Sequence, residues 1–131
     1  MSSEPGHAMT AEARRFLLVV AGAVPGALLR WQAAVQFGPY LPSGGSDALV
    51  NGVGSLLLGW LAARPFRQEL QLLLGAGFCG SLTTFSAWML VTERLQKQGF
   101  MMGLLWLALG LAVGLAMAWL GQLLGQGQRR S

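Results

Sequence analysis

The chain has 131 residues, of which 53% are hydrophobic and only 11% are charged, and its mean hydropathy is +0.52. An ordinary soluble domain carries roughly a quarter charged residues, so this composition indicates a protein surrounded by lipid. The net charge of +4 does not indicate a nucleic-acid-binding surface, because the nine basic residues are scattered at the edges of apolar segments. We therefore expect a membrane partner and no nucleic acid.

Four apolar segments fill most of the chain. A membrane-spanning helix needs about 20 apolar residues, and the segments 16–37, 46–63, 69–93 and 100–124 meet this length or come close to it. Residues 1–13 form a polar leader without the pattern of a cleaved signal peptide, and residues 125–131 read as a flexible tail. The sequence predicts one all-α membrane domain over residues 1–131, with four transmembrane helices.

The centre of the third segment differs from the other apolar segments. Residues 75–86 are mostly small or hydroxyl-bearing, so an unbroken helix is not the expected outcome. Because lipid offers no hydrogen-bond partners, irregular backbone at membrane depth is tolerated only where protein buries it or where it lines a polar cavity. We predict a third helix broken at mid-membrane, and this break is the leading candidate site.

The fourth segment carries regularly spaced small residues. Gly110 and Gly114 form a GxxxG pair, which permits close approach of two helices. The fourth helix is predicted to pack against the first, the second or another copy of the chain.

The sequence offers no arrangement typical of an enzyme. Its only histidine, His7, lies in the polar leader, and its five acidic residues fall near the predicted ends of helices. Neither a catalytic triad nor a metal-binding cluster is indicated. We expect a protein without enzymatic activity.

Two polar residues near the predicted spans have alternative interpretations. The amide of Asn51 is costly to expose to lipid, so it either bonds to a neighbouring helix or lines a polar path. Arg30 either extends its charge to the membrane surface or attracts an anion at a vestibule.

The broken segment adds hydroxyl and aromatic groups. Thr83, Thr84 and Ser86 either bond back to their own helix or serve ions together with the exposed backbone. Phe85 and Trp88 are three residues apart and share a helix face. Aromatic side chains on such a stripe usually pack, but the positive edge of a ring can also replace part of the water around an anion.

Three segments carry a family resemblance. The stretches GAVPGALLRW (22–31), VNGVGSLLLG (50–59) and GFCGSLTTFS (77–86) resemble, in this order, the first three spans of the Fluc/CrcB fluoride channels. The third motif is highly specific, and the ordered match covers nearly the whole chain.

The resemblance implies an antiparallel, dual-topology homodimer with two fluoride pores and a structural sodium ion. The sodium would bind backbone carbonyls of Gly80 and Thr83, and Arg30 would lie at the vestibule. The residues implied in the fluoride pore are Asn51, Thr84, Phe85, Ser86 and Trp88.

Two features depart from the family pattern. Trp88 stands where the family has a second phenylalanine, which keeps an aromatic edge but adds bulk and an N–H donor. The fourth segment contains no serine or threonine, so the hydroxyl groups that the family has there are missing or are supplied differently.

The basic residues predict a weak orientation bias. The leader, the loop between the second and third segments and the tail hold Arg14, Arg15, Arg64, Arg67, Arg129 and Arg130; the other side holds Arg30, Arg94 and Lys97. This distribution mildly favours cytoplasmic termini, whereas dual topology requires little bias. The implied location is a bacterial plasma or inner membrane.

The function implied by the resemblance is passive, fluoride-selective export that lowers fluoride toxicity. The alternative is a small multidrug exporter, also a four-helix dimer, which needs a membrane-embedded carboxylate in its first span. Residues 16–37 contain no Asp or Glu. A non-transporting scaffold would explain the glycines but not the hydroxyl groups clustered with them at mid-membrane.

Overall fold

The computed structural model describes residues 5–42 and 44–129, and this part of the chain is helical throughout apart from short connections. The predicted all-α class is confirmed. The helices are α1 (Pro5–Phe37), α2 (Gly45–Ala62), α3 (residues 68–82), α4 (Phe85–Gln98) and α5 (Phe100–Arg129).

Helices α1 and α3 approach each other until their backbones touch. Gly22 lies against the Leu73 carbonyl and Gly26 against the Phe78 carbonyl, and neither position leaves room for a Cβ atom. From the other side, a Cβ on Gly77 would lie 2.6 Å from the Val19 carbonyl oxygen. Small residues permit such contact between apolar helices, and here they fix α3 along α1.

Most of α3 is wound more widely than an ordinary α-helix. Its segment Gln71–Cys79 is π-helical, and the N–H of Gly80 donates to the carbonyl of Gly75, five residues earlier. Wide turns of this kind are uncommon and are often found at functional sites. The wide segment ends four residues before Thr83, where the helix is interrupted.

Helix α5 packs mainly along α2. Gly59 contacts the Ala118 carbonyl, and Gly121 contacts the Leu56 carbonyl, again without room for a Cβ. The prediction that the fourth helix packs on the first helix, the second helix or another copy is therefore confirmed for the second. The closest approach falls at these positions, however, and not at Gly114, whose Cβ would lie 3.8 Å from the Ser55 hydroxyl.

An ion pair, a hydrogen bond and a turn mark the two ends of the bundle. Arg14 pairs with Glu69 at 2.9 Å, and the Arg64 guanidinium donates to the Gln128 side chain, which places these residues at one end. At the opposite end, Gly44 adopts a φ of 83° and lies close to the side chains of Val91 and Trp106. That left-handed conformation favours glycine.

The structure changes two of the predicted boundaries. Helix α1 begins at Pro5, so most of the predicted polar leader is helical, while residues 1–4 lie outside the described range. Helix α5 continues past Leu124 to Arg129, so the predicted flexible tail starts too early. Glycines at 125 and 127 favoured an early end, but Gly125 packs closely against the Trp60 carbonyl and the chain stays helical.

Two helices in the described part of the chain are long and apolar enough to cross a membrane, Thr10–Phe37 and Phe100–Gln128. Their large apolar side chains point outward, as Phe16 (68% exposed), Leu115 (72%) and Trp119 (65%) illustrate. An apolar exterior of this extent is typical of a surface covered by lipid or by another protein.

Candidate functional site

The helical path is interrupted at two threonines. Helix α3 ends at Leu82, Thr83 is extended with φ −77° and ψ 151°, and α4 begins at Phe85. The Thr83 N–H and hydroxyl both donate to the Cys79 carbonyl, each at 3.0 Å. A side-chain hydroxyl that shares a terminal carbonyl in this way stabilises the helix end.

Asn51 holds the interruption from the neighbouring helix α2. Its Oδ1 accepts the Thr84 N–H at 2.6 Å, and its Nδ2 donates to the Thr84 carbonyl at 3.0 Å. One amide therefore satisfies both backbone groups of a residue that lies in no helix. Because a buried backbone group left unpaired costs about 1–3 kcal/mol, this pair of hydrogen bonds is a main support of the break.

The contact between Asn51 and Thr84 affects the hydrogen bonding of the Gly80 carbonyl. In a continuous helix the Thr84 N–H would donate to the carbonyl of Gly80, four residues earlier. Here that N–H donates to Asn51 instead. The Thr83 hydroxyl lies 3.5 Å from the Gly80 carbonyl oxygen, at the limit of a hydrogen bond. Asn51 thus leaves the Gly80 carbonyl without its helical donor.

A cavity of about 500 Å³ lies beside the break. Helices α2, α4 and α5 and the two threonines form its walls, and most of its lining is apolar. Of the predicted site residues, it brings together five: Asn51, Thr83, Thr84, Phe85 and Trp88. It also includes Ser55, Trp106 and Gly110, which sequence reasoning did not place at the site.

Three predicted site residues do not line this cavity: Gly80, Ser86 and Arg30. Ser86 is exposed, and Arg30 lies half-buried on α1, which contributes nothing to the cavity walls. Within the described part of the chain, Arg30 forms no ion pair. A single chain therefore does not bring Arg30 to the same surface as Asn51.

The predicted aromatic pair is present and has edge-to-face geometry. The Phe85 and Trp88 ring centroids are 5.6 Å apart with an interplanar angle of 64°. Phe85 is 69% exposed, so its ring has room to contact a second molecule. Phe78, seven residues before Phe85, does not line the cavity.

The indole of Trp88 fits against a glycine on α5. A Cβ on Gly110 would lie 2.5 Å from Trp88 Nε1 and 2.7 Å from its Cε2, so only glycine leaves space for the ring. The Nε1–H is buried and has no hydrogen-bond partner among the described residues, and the same holds for Trp106 Nε1. Trp106 and Gly110 are four residues apart on one face of α5. Sequence reasoning assigned Gly110 only to a packing motif and assigned no role to Trp106.

The helices have apolar exteriors, one helix is interrupted beside a cavity, and an asparagine is hydrogen-bonded to the interruption. Together these features define the class of protein, which is a helical membrane protein with a polar site inside its helices. Among the described residues, no group of three His, Cys, Asp or Glu side chains is placed to hold a metal ion.

Comparison with known proteins gives the family. Residues 17–122 match the family model described as CrcB-like protein, Camphor Resistance (CrcB). A fluoride-specific ion channel FluC 2 of Synechococcus sp. (strain CC9902) is 48% identical over 121 residues, covering 88% of this chain and 86% of the relative. The fluoride-specific ion channel FluC of Ruegeria pomeroyi (strain ATCC 700808 / DSM 15171 / DSS-3) is 40% identical over 123 residues, covering 92% and 97%. The chain belongs to the CrcB family.

This finding confirms the resemblance that the three sequence motifs indicated. The relatives are named as ion channels and not as enzymes, in agreement with the expectation that the chain has no enzymatic activity. All three motifs, residues 22–31, 50–59 and 77–86, lie within the matched range.

Proposed function

We propose that this protein is a fluoride-selective channel that passively releases cytoplasmic fluoride and so reduces its toxicity. The observation that carries the proposal is the similarity, over most of both chains, to relatives named as fluoride-specific ion channels. The interrupted helix beside a cavity supports it, since irregular backbone in a membrane is tolerated where it lines such a space. The multidrug exporter is not favoured, because no Asp or Glu lies in residues 16–37.

The fluoride path in this proposal runs past Asn51, Thr84, Phe85, Ser86 and Trp88. The edge-to-face arrangement of Phe85 and Trp88 supports this role, because a positive ring edge favours an anion. Arg30 is proposed to attract the anion at a vestibule. Its lack of an ion pair within the described chain is compatible with that role, and a second copy is needed to bring it near the path.

A sodium ion is proposed at the break, bound by the Gly80 and Thr83 carbonyls. The residues fit a hard cation, which prefers oxygen ligands, and the Asn51 contact leaves the Gly80 carbonyl without its helical N–H donor. When bound, the ion would hold the two broken segments together. The role of the chain's own residues is to end the helix at Leu82 and keep these carbonyls accessible.

The membrane arrangement in the proposal is four spans per chain, a break at mid-membrane and an antiparallel homodimer in a bacterial plasma or inner membrane. The exposed apolar side chains of α1 and α5 supply surface for lipid and for a second copy. Short connections between the helices support four crossings.

The function is tested by fluoride efflux. Purified protein in liposomes loaded with potassium fluoride or potassium chloride is expected to release fluoride and to retain chloride, while an imposed potassium conductance carries the balancing positive charge. Trp60→Phe is a suitable control variant, because Trp60 lies at the far end of α2 and bonds Gln128. If no fluoride leaves, the proposed function is wrong, and drug-driven proton uptake would favour the exporter.

Orientation is tested by labelling single cysteines. Cys79 is 1% exposed, so an impermeant maleimide should report on new cysteines alone. Gly127→Cys and Gln98→Cys place exposed thiols near opposite ends of the bundle. Dual topology predicts that each is about half labelled from outside the cell. Full labelling of one and none of the other would rule out dual topology.

A further inference from the structure

We infer that the Ser55 hydroxyl is a hydrogen-bond donor to fluoride in the cavity between α2, α4 and α5, and that it acts together with the amide of Asn51 one helical turn earlier. Both residues line the cavity. Ser55 is thus a specificity-determining residue for the anion. The inference deepens the proposed fluoride channel and rests on it.

The first argument is that the Ser55 hydroxyl is not engaged elsewhere. It forms no hydrogen bond with any residue in the part of the chain that the structure describes. By comparison, the hydroxyls of Ser81, Thr83 and Thr92 each donate to a carbonyl three or four residues earlier, at 3.1, 3.0 and 2.9 Å. Bonding back to the helix in this way commonly satisfies a serine or threonine in an apolar segment. Ser55 instead keeps its donor available at a cavity wall.

The second argument is that the cavity has room for a small ion beside this hydroxyl. Gly52, three residues before Ser55, is buried and lines the cavity, yet a Cβ added to it would have no atom within 4 Å. On the opposite wall, a Cβ on Gly114 would lie 3.8 Å from Ser55 Oγ. Unlike Trp88 Nε1, the Ser55 oxygen is not a fully enclosed atom without a partner. A water-sized ion can therefore reach it.

The third argument is that Asn51 supplies a second donor close to Ser55. The Asn51 Nδ2 donates to the Thr84 carbonyl at 3.0 Å, but an amide nitrogen carries two N–H groups. The contacts with described residues use one of them. Residues four apart in a helix share a face and have Cβ atoms about 5–6 Å apart. An ion between these two side chains is therefore within hydrogen-bond distance of both.

The fourth argument concerns the sign of the ligand. The Asn51 oxygen already accepts the Thr84 N–H, so the group that Asn51 has left to offer is an N–H, which only donates. A ligand that contacts both Asn51 and Ser55 must therefore accept hydrogen bonds, as an anion does. A strongly hydrated anion enters an apolar cavity only where donors replace its water. Helix α5 has no serine or threonine between residues 100 and 129, and Ser55 on α2 supplies the hydroxyl that α5 does not.

Fluoride efflux from liposomes, measured as a function of fluoride concentration, tests the inference. Ser55→Ala removes the hydroxyl alone, and we expect the concentration at half-maximal efflux to rise about tenfold through the loss of one hydrogen bond to a charged acceptor. Ser55→Thr keeps the hydroxyl and should resemble the wild type. Ser81→Ala is the matched control, since its hydroxyl already donates to Phe78 and Ser81 does not line the cavity. A loss of folded protein lowers the maximal rate but does not move half-saturation.

NMR of the asparagine side chain supplies a direct binding readout. Asn51 is the only asparagine in the sequence, so ¹⁵N-labelled asparagine in full-length protein in lipid nanodiscs gives one pair of Nδ2 protons. During titration with potassium fluoride, the proton that is not bonded to the Thr84 carbonyl should shift downfield and saturate, and potassium chloride should not shift it. In Ser55→Ala the fluoride concentration at half-maximal shift should again be about tenfold higher, and in Ser81→Ala it should be unchanged.

The outcomes separate this inference from the proposed function. If the wild type conducts fluoride and half-saturation is unchanged in Ser55→Ala, the inference is wrong and the channel proposal stands. Equal shifts of half-saturation in Ser55→Ala and Ser55→Thr would assign the effect to side-chain shape and also overturn it, as would an Asn51 signal that does not respond to fluoride. A wild type that conducts no fluoride would refute the channel proposal itself.

Discussion

Glycines border the interrupted helix on two sides, and the two sides use them in opposite ways. On the closed side, formed by α1 and α3, a Cβ on Gly77 would lie 3.0 Å from the Gly22 Cα. On the open side, formed by α2, α4 and α5 around the cavity, a Cβ on Gly114 would lie 3.8 Å from the Ser55 hydroxyl, which is ordinary contact. The same residue type therefore provides contact on one side and free volume on the other.

This difference explains how a small chain can hold an irregular backbone. The closed side fixes α3 up to Leu82 by backbone contact, which few side chains disturb. The open side leaves space next to Thr84 and supplies the Asn51 amide as a brace. Rigidity on one side permits accessible backbone and a cavity on the other.

The largest expected effect comes from a substitution that disrupts the backbone contact on the closed side. In Gly22→Ala the new methyl would overlap the Leu73 carbonyl, so α1 and α3 must separate. We expect a loss of about 3 kcal/mol or more, the upper end for overpacking, although alanine alone favours a helix by about 1 kcal/mol. Unfolding in a denaturing detergent titration measures it. Gly114→Ala is the matched control on the open side, and equal loss in both variants would contradict the comparison.

The second prediction concerns the brace between the sides. Asn51→Ala leaves the Thr84 N–H and carbonyl without their partner, at a cost of about 2 kcal/mol. Asn51→Asp keeps an acceptor for the N–H but places a carboxylate oxygen near the Thr84 carbonyl. We expect both variants to lower fluoride efflux at least tenfold, because the break loses more than the roughly 1.4 kcal/mol of support that corresponds to a factor of ten.

Efflux and unfolding of each Asn51 variant are measured together. Should Asn51→Asp conduct as well as the wild type, Asn51 would be removed from the path and from the support of the break.

The third prediction concerns a place beside the cavity where the open side is tightly packed. Gly110→Ala would push its methyl to within 2.5 Å of Trp88 Nε1, so we expect a loss of about 1–2 kcal/mol. In a Trp88→Phe background the five-membered ring is absent and the same change should cost little. A double-mutant cycle of unfolding free energies gives the coupling. Additive effects would show that Trp88 and Gly110 do not share this space.

Much of the fold was predictable, because hydrophobic length and small-residue spacing are local signals. The all-α class follows from them, and they predicted close packing of the fourth helix without selecting the second helix as its partner. The ends of α1 and α5 were not predictable from the sequence, because polar residues and glycines do not define where a helix ends until packing decides it. At Gly125, contact with the Trp60 carbonyl is decisive, and no local pattern contains that contact.

The candidate site was predictable as a region and not as a set of contacts. The cluster of small and hydroxyl residues at 75–86 marked the break, and Asn51 was singled out by its polarity. Its partner, the Thr84 backbone, lies 33 residues away along the chain, and backbone partners leave no mark in side-chain patterns. Trp106 and Gly110 were not assigned to the site for a similar reason, since both fit an ordinary packing face of α5.

The smallest expected effect concerns Thr83, which lies between the closed side and the open side. Thr83→Val removes the hydroxyl that donates to the Cys79 carbonyl but keeps a methyl group close to Gly54. Because the Thr83 N–H still donates to that carbonyl, we expect a loss of only about 1 kcal/mol. Thr83→Ser is the complementary control, since it keeps the hydroxyl and loses the methyl. If Thr83→Ser is the less stable variant in detergent unfolding, contact with α2 holds the helix end and the hydroxyl does not. The support of the break would then come from packing, as on the closed side.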